Sequence, residues 1–197
     1  MMMRKGCYGG EVNVRIVPKS ASEKVSLLRL RCAVRFLKKS LIGAKSDEVF
    51  CNKTNKGTCG DIILYSETNK VTCGGDVLYN NVKARNVDYK RYKNVEFIDC
   101  GANLESIFCP NCGAIIDFSW WGEAMNKAYE SHFKEMGVIT PCCNKKTTLG
   151  GLKYNAPCAF AKTEIRIFDA RDLIPKETIR AIEKICKTPL KVIFQRV

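Results

Sequence analysis

The sequence predicts an α+β protein: a mixed or antiparallel sheet with packed helices, ferredoxin-like in part, carrying a metal-binding lobe. Three observations predict it. A β-α pattern opens the patterned part of the chain, and a β-α-β pattern closes it. Between them stand two pairs of cysteines, Cys109 with Cys112 and Cys142 with Cys143. A β-α beginning beside a β-α-β ending gives an α+β body, with the cysteine region as an insertion or lobe.

The opening strand is read from Val12, Val14 and Ile16 alternating with Asn13 and Arg15, and Pro18 ends it. Ser20 and Ser22 offer caps for a helix from about Ala21 to Lys39. Its apolar face is Leu27, Leu30, Ala33, Val34, Leu37 and Leu41. Lys24, Arg31, Arg35 and Lys38 line up opposite, with Lys39 beside them. Such a stripe suits phosphate groups, and it also suits an ordinary solvated face.

Gly43 to Gly60 is polar and reads as a loop or hairpin. A near-duplication follows, Thr58-Cys59-Gly60-Asp61-Ile62-Ile63-Leu64-Tyr65 and Thr72-Cys73-Gly74-Gly75-Asp76-Val77-Leu78-Tyr79, which predicts a short meander. Residues 81–94 read as a linker or edge strand. Within them Tyr89-Lys90-Arg91-Tyr92-Lys93 interleaves basic and aromatic residues, the pairing that holds single-stranded nucleic acid. On an edge strand the same lysines discourage aggregation. Val95 to Ile98 is a short strand leading into the cysteine region.

Cys109-Pro110-Asn111-Cys112-Gly113 spaces two thiolates so that one turn grips one metal ion, with Gly113 free to reverse the backbone. Pro141-Cys142-Cys143 supplies the nearest pair able to complete a tetrahedral site. Adjacent cysteines do so only if the backbone bends sharply. A Cys-x-x-Cys also suits a redox pair, but Gly113 to Phe118 reads as a short strand leaving a knuckle, not as the start of a helix. One structural Zn2+ is therefore expected on Cys109, Cys112, Cys142 and Cys143. A helix from Trp120 to Met136 lies between the pairs, with His132, the chain's one histidine, on its mixed face, where it reads as a core or boundary residue before an alternative ligand. Cys51, Cys59 and Cys73, with Cys7 or Cys100, are candidates for a second site, but none has two-residue spacing.

The tail alternates over Glu164–Phe168 as a strand. After a loop, Pro175 opens a helix whose Ile179, Ile182 and Ile185 or Cys186 face the core. Lys184 and Lys187 sit near its negative end, Thr188-Pro189 stops it, and Leu190 to Val197 is the last strand.

A chain of 197 residues, 46% hydrophobic, can bury a real core. No apolar run approaches the roughly 18–20 residues needed to cross a bilayer. Met1 to Gly10 carries no secretory pattern, so the twelve cysteines point to a reducing cytoplasm and metal binding more than to a disulfide scaffold. The net charge is +13, and it is lopsided. Residues 1–46 hold eleven Lys/Arg against Glu11 and Glu23, a balance of +9; residues 83–93 add five against Asp88, a balance of +4. Such a field attracts phosphate backbones or an acidic protein. The expected division is a basic N-terminal α+β region, 1–93, and a zinc-bearing lobe with the C-terminal β-α-β, 94–197.

The stretch from Phe97-Ile98-Asp99-Cys100-Gly101-Ala102-Asn103-Leu104 to the end resembles a group of bacterial zinc-ribbon proteins of uncharacterised function. The shared pattern is Cys109-Pro110-Asn111-Cys112-Gly113, Pro141-Cys142-Cys143, Thr147-Thr148-Leu149, Pro157, Phe160-Ala161, the Glu164–Phe168 strand and Pro189-Leu190-Lys191-Val192-Ile193. The resemblance implies a zinc-ribbon lobe with zinc on the two cysteine pairs, and no activity. The chain departs from that pattern where Asn144 replaces a glycine, where Gly150-Gly151 replaces Asn-Asp, and where Cys158 offers a competing ligand.

Function follows as an expectation. A four-cysteine site is closed, so it contributes folding energy and does not activate water. The chain then reads as a non-catalytic zinc-stabilised binder of an acidic partner, either nucleic acid or an acidic protein such as a toxin partner. The binding surface would be Lys24, Arg31, Arg35, Lys38, Lys39, Tyr89, Lys90, Arg91, Tyr92 and Lys93. The alternatives are a cysteine-based redox sensor and a zinc-dependent hydrolase. A hydrolase needs an open coordination position and usually His or carboxylate ligands. A cysteine nucleophile would have only His132 as base, and Asp99, Glu105, Asp117 and Glu123 show no spacing that asks for a carboxylate site.

Overall fold

The computed structural model describes residues 12–42, 70–73, 76–79, 84–170 and 174–196. The expected loop at 43–60, the first half of the duplication, and Cys7, Cys51 and Cys59 lie outside them. The chain is α+β, and among the described residues its strand pairings are antiparallel apart from one isolated parallel bridge between Gly101 and Arg196.

Strand β1 (Val12–Pro18) leads to helix α1 (Leu27–Ile42). The helix starts at Leu27 rather than near Ala21. Ser20 and Ser22 bond each other at 3.0 Å within a turn in which the Glu23 amide donates to the Ser20 carbonyl. Ser26 does the capping instead: its hydroxyl accepts from the Arg29 amide, and its carbonyl takes the Leu30 amide. Strands β2 (Lys70–Cys73) and β3 (Asp76–Tyr79) pair with each other, Lys70 opposite Tyr79.

Strand β4 runs unbroken from Asn86 to Ile98. Tyr89 to Lys93 and the expected short strand at 95–98 are thus one element, and the expected boundary at 93/94 falls inside it. A cysteine-rich segment, 99–158, intervenes before β10 (Ala159–Phe168). Within it lie β5 (Ile107–Phe108), β6 (Ile115–Ile116), α2 (Phe118–Glu130), β7 (Gly137–Ile139), β8 (Lys146–Thr148) and β9 (Lys153–Tyr154). Helix α3 (Lys176–Cys186) and β11 (Leu190–Arg196) close the chain, with Lys187 reversing the helix end in the left-handed conformation at φ 55°.

The main sheet has the order β11-β1-β10-β4, so it draws strands from both sides of position 93. Val14, Ile16, Val87, Ile165 and Ile167 face one way and pack under α1 (Leu30, Ala33, Val34, Leu37) and α3 (Ala181, Ile182, Ile185). Each fully buried Leu or Ile contributes roughly 1.5–3 kcal/mol relative to exposure. The opposite face carries a second apolar cluster at one end, with Val17, Ala161 and Ile193 buried, and polar groups along the rest. Glu164, only 2% exposed, accepts from the Tyr92 hydroxyl at 2.6 Å and from Arg15 Nη1 at 3.3 Å. Arg15 also reaches Gln195, and Arg166 grips Asp88 with two bonds of 2.6 and 2.7 Å.

Ala159 pairs directly with Ile98, so the segment between them leaves and rejoins one pair of neighbouring strands. Its core joins buried Ile107, Ile116, Leu149 and Leu152 to a set of aromatic rings. Phe97 from β4 and Phe160 from β10 stand 5.1 Å apart and meet Trp121, Tyr154 and Phe133. Asp117 caps α2 by accepting from the Ser119 amide at 2.7 Å. The helix ends at Glu130, not at Met136, because His132 and Phe133 both take φ of 55°. That reversal turns Phe133 inward against Phe160 and leaves His132 exposed.

Candidate metal centre

Each cysteine pair occupies the connection of two antiparallel strands, Cys109 and Cys112 between β5 and β6 of the three-stranded sheet β6-β5-β9, Cys142 and Cys143 between β7 and β8. The first connection is a knuckle closed by two backbone bonds. The Gly113 amide donates to the Cys109 carbonyl at 3.0 Å and the Cys109 amide to the Ala114 carbonyl at 2.8 Å. Gly113 takes φ +76°, a conformation that costs glycine little.

The second connection repeats that bonding. The Asn144 amide donates to the Thr140 carbonyl at 3.0 Å and the Thr140 amide to the Lys145 carbonyl at 3.0 Å, with Asn144 at φ 56°. In this register Thr140 holds the place of Cys109, Pro141 that of Pro110, Cys143 that of Cys112 and Asn144 that of Gly113. Cys142 then falls on the exposed tip position held by Asn111 in the first knuckle. This is how two adjacent cysteines reach one centre. The departure at Asn144 is explained as well, since asparagine is among the few residues that tolerate this conformation.

The four sulfurs lie within 4.8 Å of one another, with Cys109 to Cys143 at 3.7 Å and Cys112 to Cys142 at 3.3 Å. They can hold a metal ion. Among the described residues this is the one group of three or more His, Cys, Asp or Glu side chains so gathered. Cys109 is fully enclosed, whereas Cys112 and Cys142 are exposed.

Burial pushes the Cys109 thiol up, but the Cys112 and Asn111 backbone N–H groups, with hydrogen bonds from Cys112 and Thr140, outweigh it and bring it down to about 6. Cys142 moves the other way, to about 12, chiefly through its hydrogen bond with Cys112 and then through desolvation. Sulfurs this close cannot all carry charge unless a cation stands among them. Buried Thr140 completes the surroundings, its hydroxyl 3.2 Å from Cys143 Sγ. The sequence reading missed Thr140. Its signal was the match between Cys-Pro-Asn-Cys-Gly and Thr-Pro-Cys-Cys-Asn.

The rival ligands lie elsewhere. Cys158 is buried with its sulfur 3.5 Å from that of Cys100, and His132 is outside the cluster. Cys73 is in β2. Asp99 accepts from the Gly101 amide and from Gln195 Nε2, while Asp117 serves as the cap of α2. A cleft of about 690 Å³ between α2 and the β7–β8 pair is lined by Trp120, Glu123, Lys127, Ile139 and Lys146 among others. None of the four cysteines lines it.

The basic residues fall into two neighbouring groups. Arg31, Arg35 and Lys38 are exposed on α1, Lys39 is half-buried, and Lys24 precedes the helix. Lys90, Arg91 and Lys93 are exposed on β4, the edge strand of the sheet. Arg31 Nε donates to the Tyr89 hydroxyl at 3.5 Å, joining the two groups. Tyr92 is anchored to Glu164, and Lys90 stands over its ring at 4.7 Å. Among the described residues, no helix is long and apolar enough to cross a membrane. Comparison with protein-family models, curated proteins and solved structures finds no match to this chain.

Proposed function

We propose that this protein is a non-catalytic, zinc-stabilised binding protein whose basic surface takes an anionic partner, nucleic acid first. The observation that carries the binding reading is α1. Its sixteen residues contain no Asp or Glu, and it presents Arg31, Arg35 and Lys38 to solvent beside the basic edge of β4. A solvated helix face ordinarily mixes both signs, because opposite charges three and four residues apart stabilise it.

The zinc reading rests on ligand chemistry and size. Four thiolates favour zinc or iron. Zinc–sulfur bonds of roughly 2.3 Å in a tetrahedron set sulfurs about 3.8 Å apart, close to the observed 3.3 and 3.7 Å. Cys109, Cys112, Cys142 and Cys143 would fill all four positions. The ion would then tie the two knuckles together and leave no place for a reacting water.

The same reading interprets the architecture. The sheet order and the helices after β1 and β10 suit the split β-α-β plan of ferredoxin-like folds, with a zinc-ribbon lobe inserted at 99–158 between the second and third strands.

The test is fluorescence anisotropy with a labelled single-stranded oligonucleotide over a salt series. Binding should weaken as salt rises, by about 0.7 in the logarithmic slope for each phosphate neutralised. Reversing Arg31, Arg35 and Lys38 to Glu should remove about 2 from that slope if each takes one phosphate. No binding at low salt, or a triple variant that binds like the parent, would refute the nucleic-acid reading.

A further inference from the structure

We propose that the Cys112–Cys142 edge of the cluster is a peroxide-reactive modification site, whose oxidation to a disulfide expels the metal. The inference rests on the zinc reading and adds a reaction to it.

The geometry sorts the four sulfurs into two kinds. Cys109 has no exposed surface, and Cys143 lies beside the buried Thr140 hydroxyl. Cys112 and Cys142 face solvent, and at 3.3 Å they are closer than Cys109 and Cys143 at 3.7 Å. The shifted register of the second knuckle causes this. With Thr140 in the enclosed position, the remaining ligand is moved to the tip, beside the exposed cysteine of the first knuckle. A disulfide needs the sulfurs at about 2.05 Å, so closure requires about 1.3 Å of approach between two turns.

The electrons balance with one peroxide. The Cys112 thiolate attacks a peroxide oxygen, the O–O bond breaks and hydroxide leaves, giving a sulfenic acid. The Cys142 thiolate attacks that sulfur, an S–S bond forms, and a second hydroxide leaves. Two thiolates have lost two electrons, and hydrogen peroxide has become two waters after protonation by solvent. Zinc changes no oxidation state. It is left with two of its four thiolates and dissociates.

The molecule carries its own comparison. Cys100 and Cys158 are also close, at 3.5 Å, at the junction between sheet and lobe, but both are buried. Burial pushes Cys158 up to about 12, which keeps it a thiol. Proximity is shared by the two pairs, and exposure is not.

The experiment treats the full zinc-loaded chain with equimolar hydrogen peroxide, follows zinc with a chelating dye, and maps thiols by differential alkylation and mass spectrometry. Zinc should appear in step with a Cys112–Cys142 disulfide, while Cys100 and Cys158 still alkylate after denaturation. The double variant Cys100→Ser with Cys158→Ser should release zinc at the parent rate. A Cys100–Cys158 or Cys109–Cys112 disulfide forming first would overturn the proposal. So would full zinc retention after the Cys112–Cys142 bond has formed. Metal analysis before oxidant is added judges the zinc reading separately. A chain without zinc refutes that reading and the expulsion together, whereas a zinc-loaded chain that oxidises elsewhere refutes only the reactive edge.

Discussion

Exchanging the roles of Thr140 and Cys142 tests the register of the second knuckle directly. Serine at Cys142 removes one of four thiolates. Structural zinc sites bind with an apparent free energy of roughly 10–16 kcal/mol; a quarter of that corresponds to roughly 100- to 1000-fold in affinity. Thr140 lies where Cys109 lies in the first knuckle, fully enclosed, with its hydroxyl 3.2 Å from Cys143 Sγ. Cysteine is close to threonine in size, so Thr140→Cys places a sulfur there without overpacking the site. The double variant Cys142→Ser with Thr140→Cys restores a fourth thiolate and should regain most of the roughly 100- to 1000-fold lost in the single variant. Competition against a chelating dye, read beside thermal melts with and without chelator, measures both steps. A double variant that binds no more tightly than Cys142→Ser alone would refute the register. Parent affinity in Cys142→Ser itself would remove Cys142 from the site.

Other expectations follow from particular contacts. Metal analysis of protein purified without added metal should find one zinc per chain and no visible absorption; a coloured iron centre would refute zinc. Gly101→Ala should destabilise by roughly 2–4 kcal/mol in urea unfolding, because a Cβ at φ +62° would stand 2.1 Å from the Arg196 carbonyl oxygen. Tyr92→Phe removes the donor at 2.6 Å from the buried Glu164 carboxylate and should cost about 1.5–3 kcal/mol by the same measure. Hydrogen bonds from the Ser119 side chain and backbone hold Asp117 below the usual carboxylate range. Its cap is therefore complete at neutral pH and lost as pH falls through that lowered value. The melting difference between Asp117→Ala and the parent should shrink in acid; a difference independent of pH would refute the cap.

The α+β class and the cysteine cluster were legible because short-range chemistry writes them. Val12 to Val17 alternates, the α3 sequence is sharply two-faced, and Cys-Pro-Asn-Cys-Gly states its own turn. What was not legible depended on distant partners. Tyr89 to Lys93 reads as a linker or an edge strand by composition, and only the pairing with β10 from Asn86 onward decides for the strand. The end of α2 was misjudged because His132 and Phe133 have no helix-breaking sequence. It is the space beside Phe160 that pulls Phe133 inward through two left-handed residues. Ser20 and Ser22 look like caps and are spent on each other, leaving the role to Ser26. Glu164 gave no sign of burial, since only the fold brings Arg15 and Tyr92 to it.

The attachment of the cysteine-rich segment explains how a small lobe able to hold a metal ion can matter to the whole chain. It leaves the sheet after Ile98 and returns at Ala159, a directly paired couple. Phe97 and Phe160, one residue inside that couple on either strand, point into the lobe's aromatic core. Gly101 and Ala102 then hold the far edge through the Arg196 backbone of β11. The lobe's own strands are two or three residues long, too short to be stable as isolated hairpins. Its order comes instead from the buried cluster of Ile107, Ile116, Phe133, Leu149 and Leu152 packed against Phe97 and Phe160, and a metal ion on the four cysteines would add a cross-link at the far end. Through Phe97, a metal ion bound there would be coupled to the packing of β4, the strand that carries Lys90, Arg91 and Lys93 at the sheet's edge.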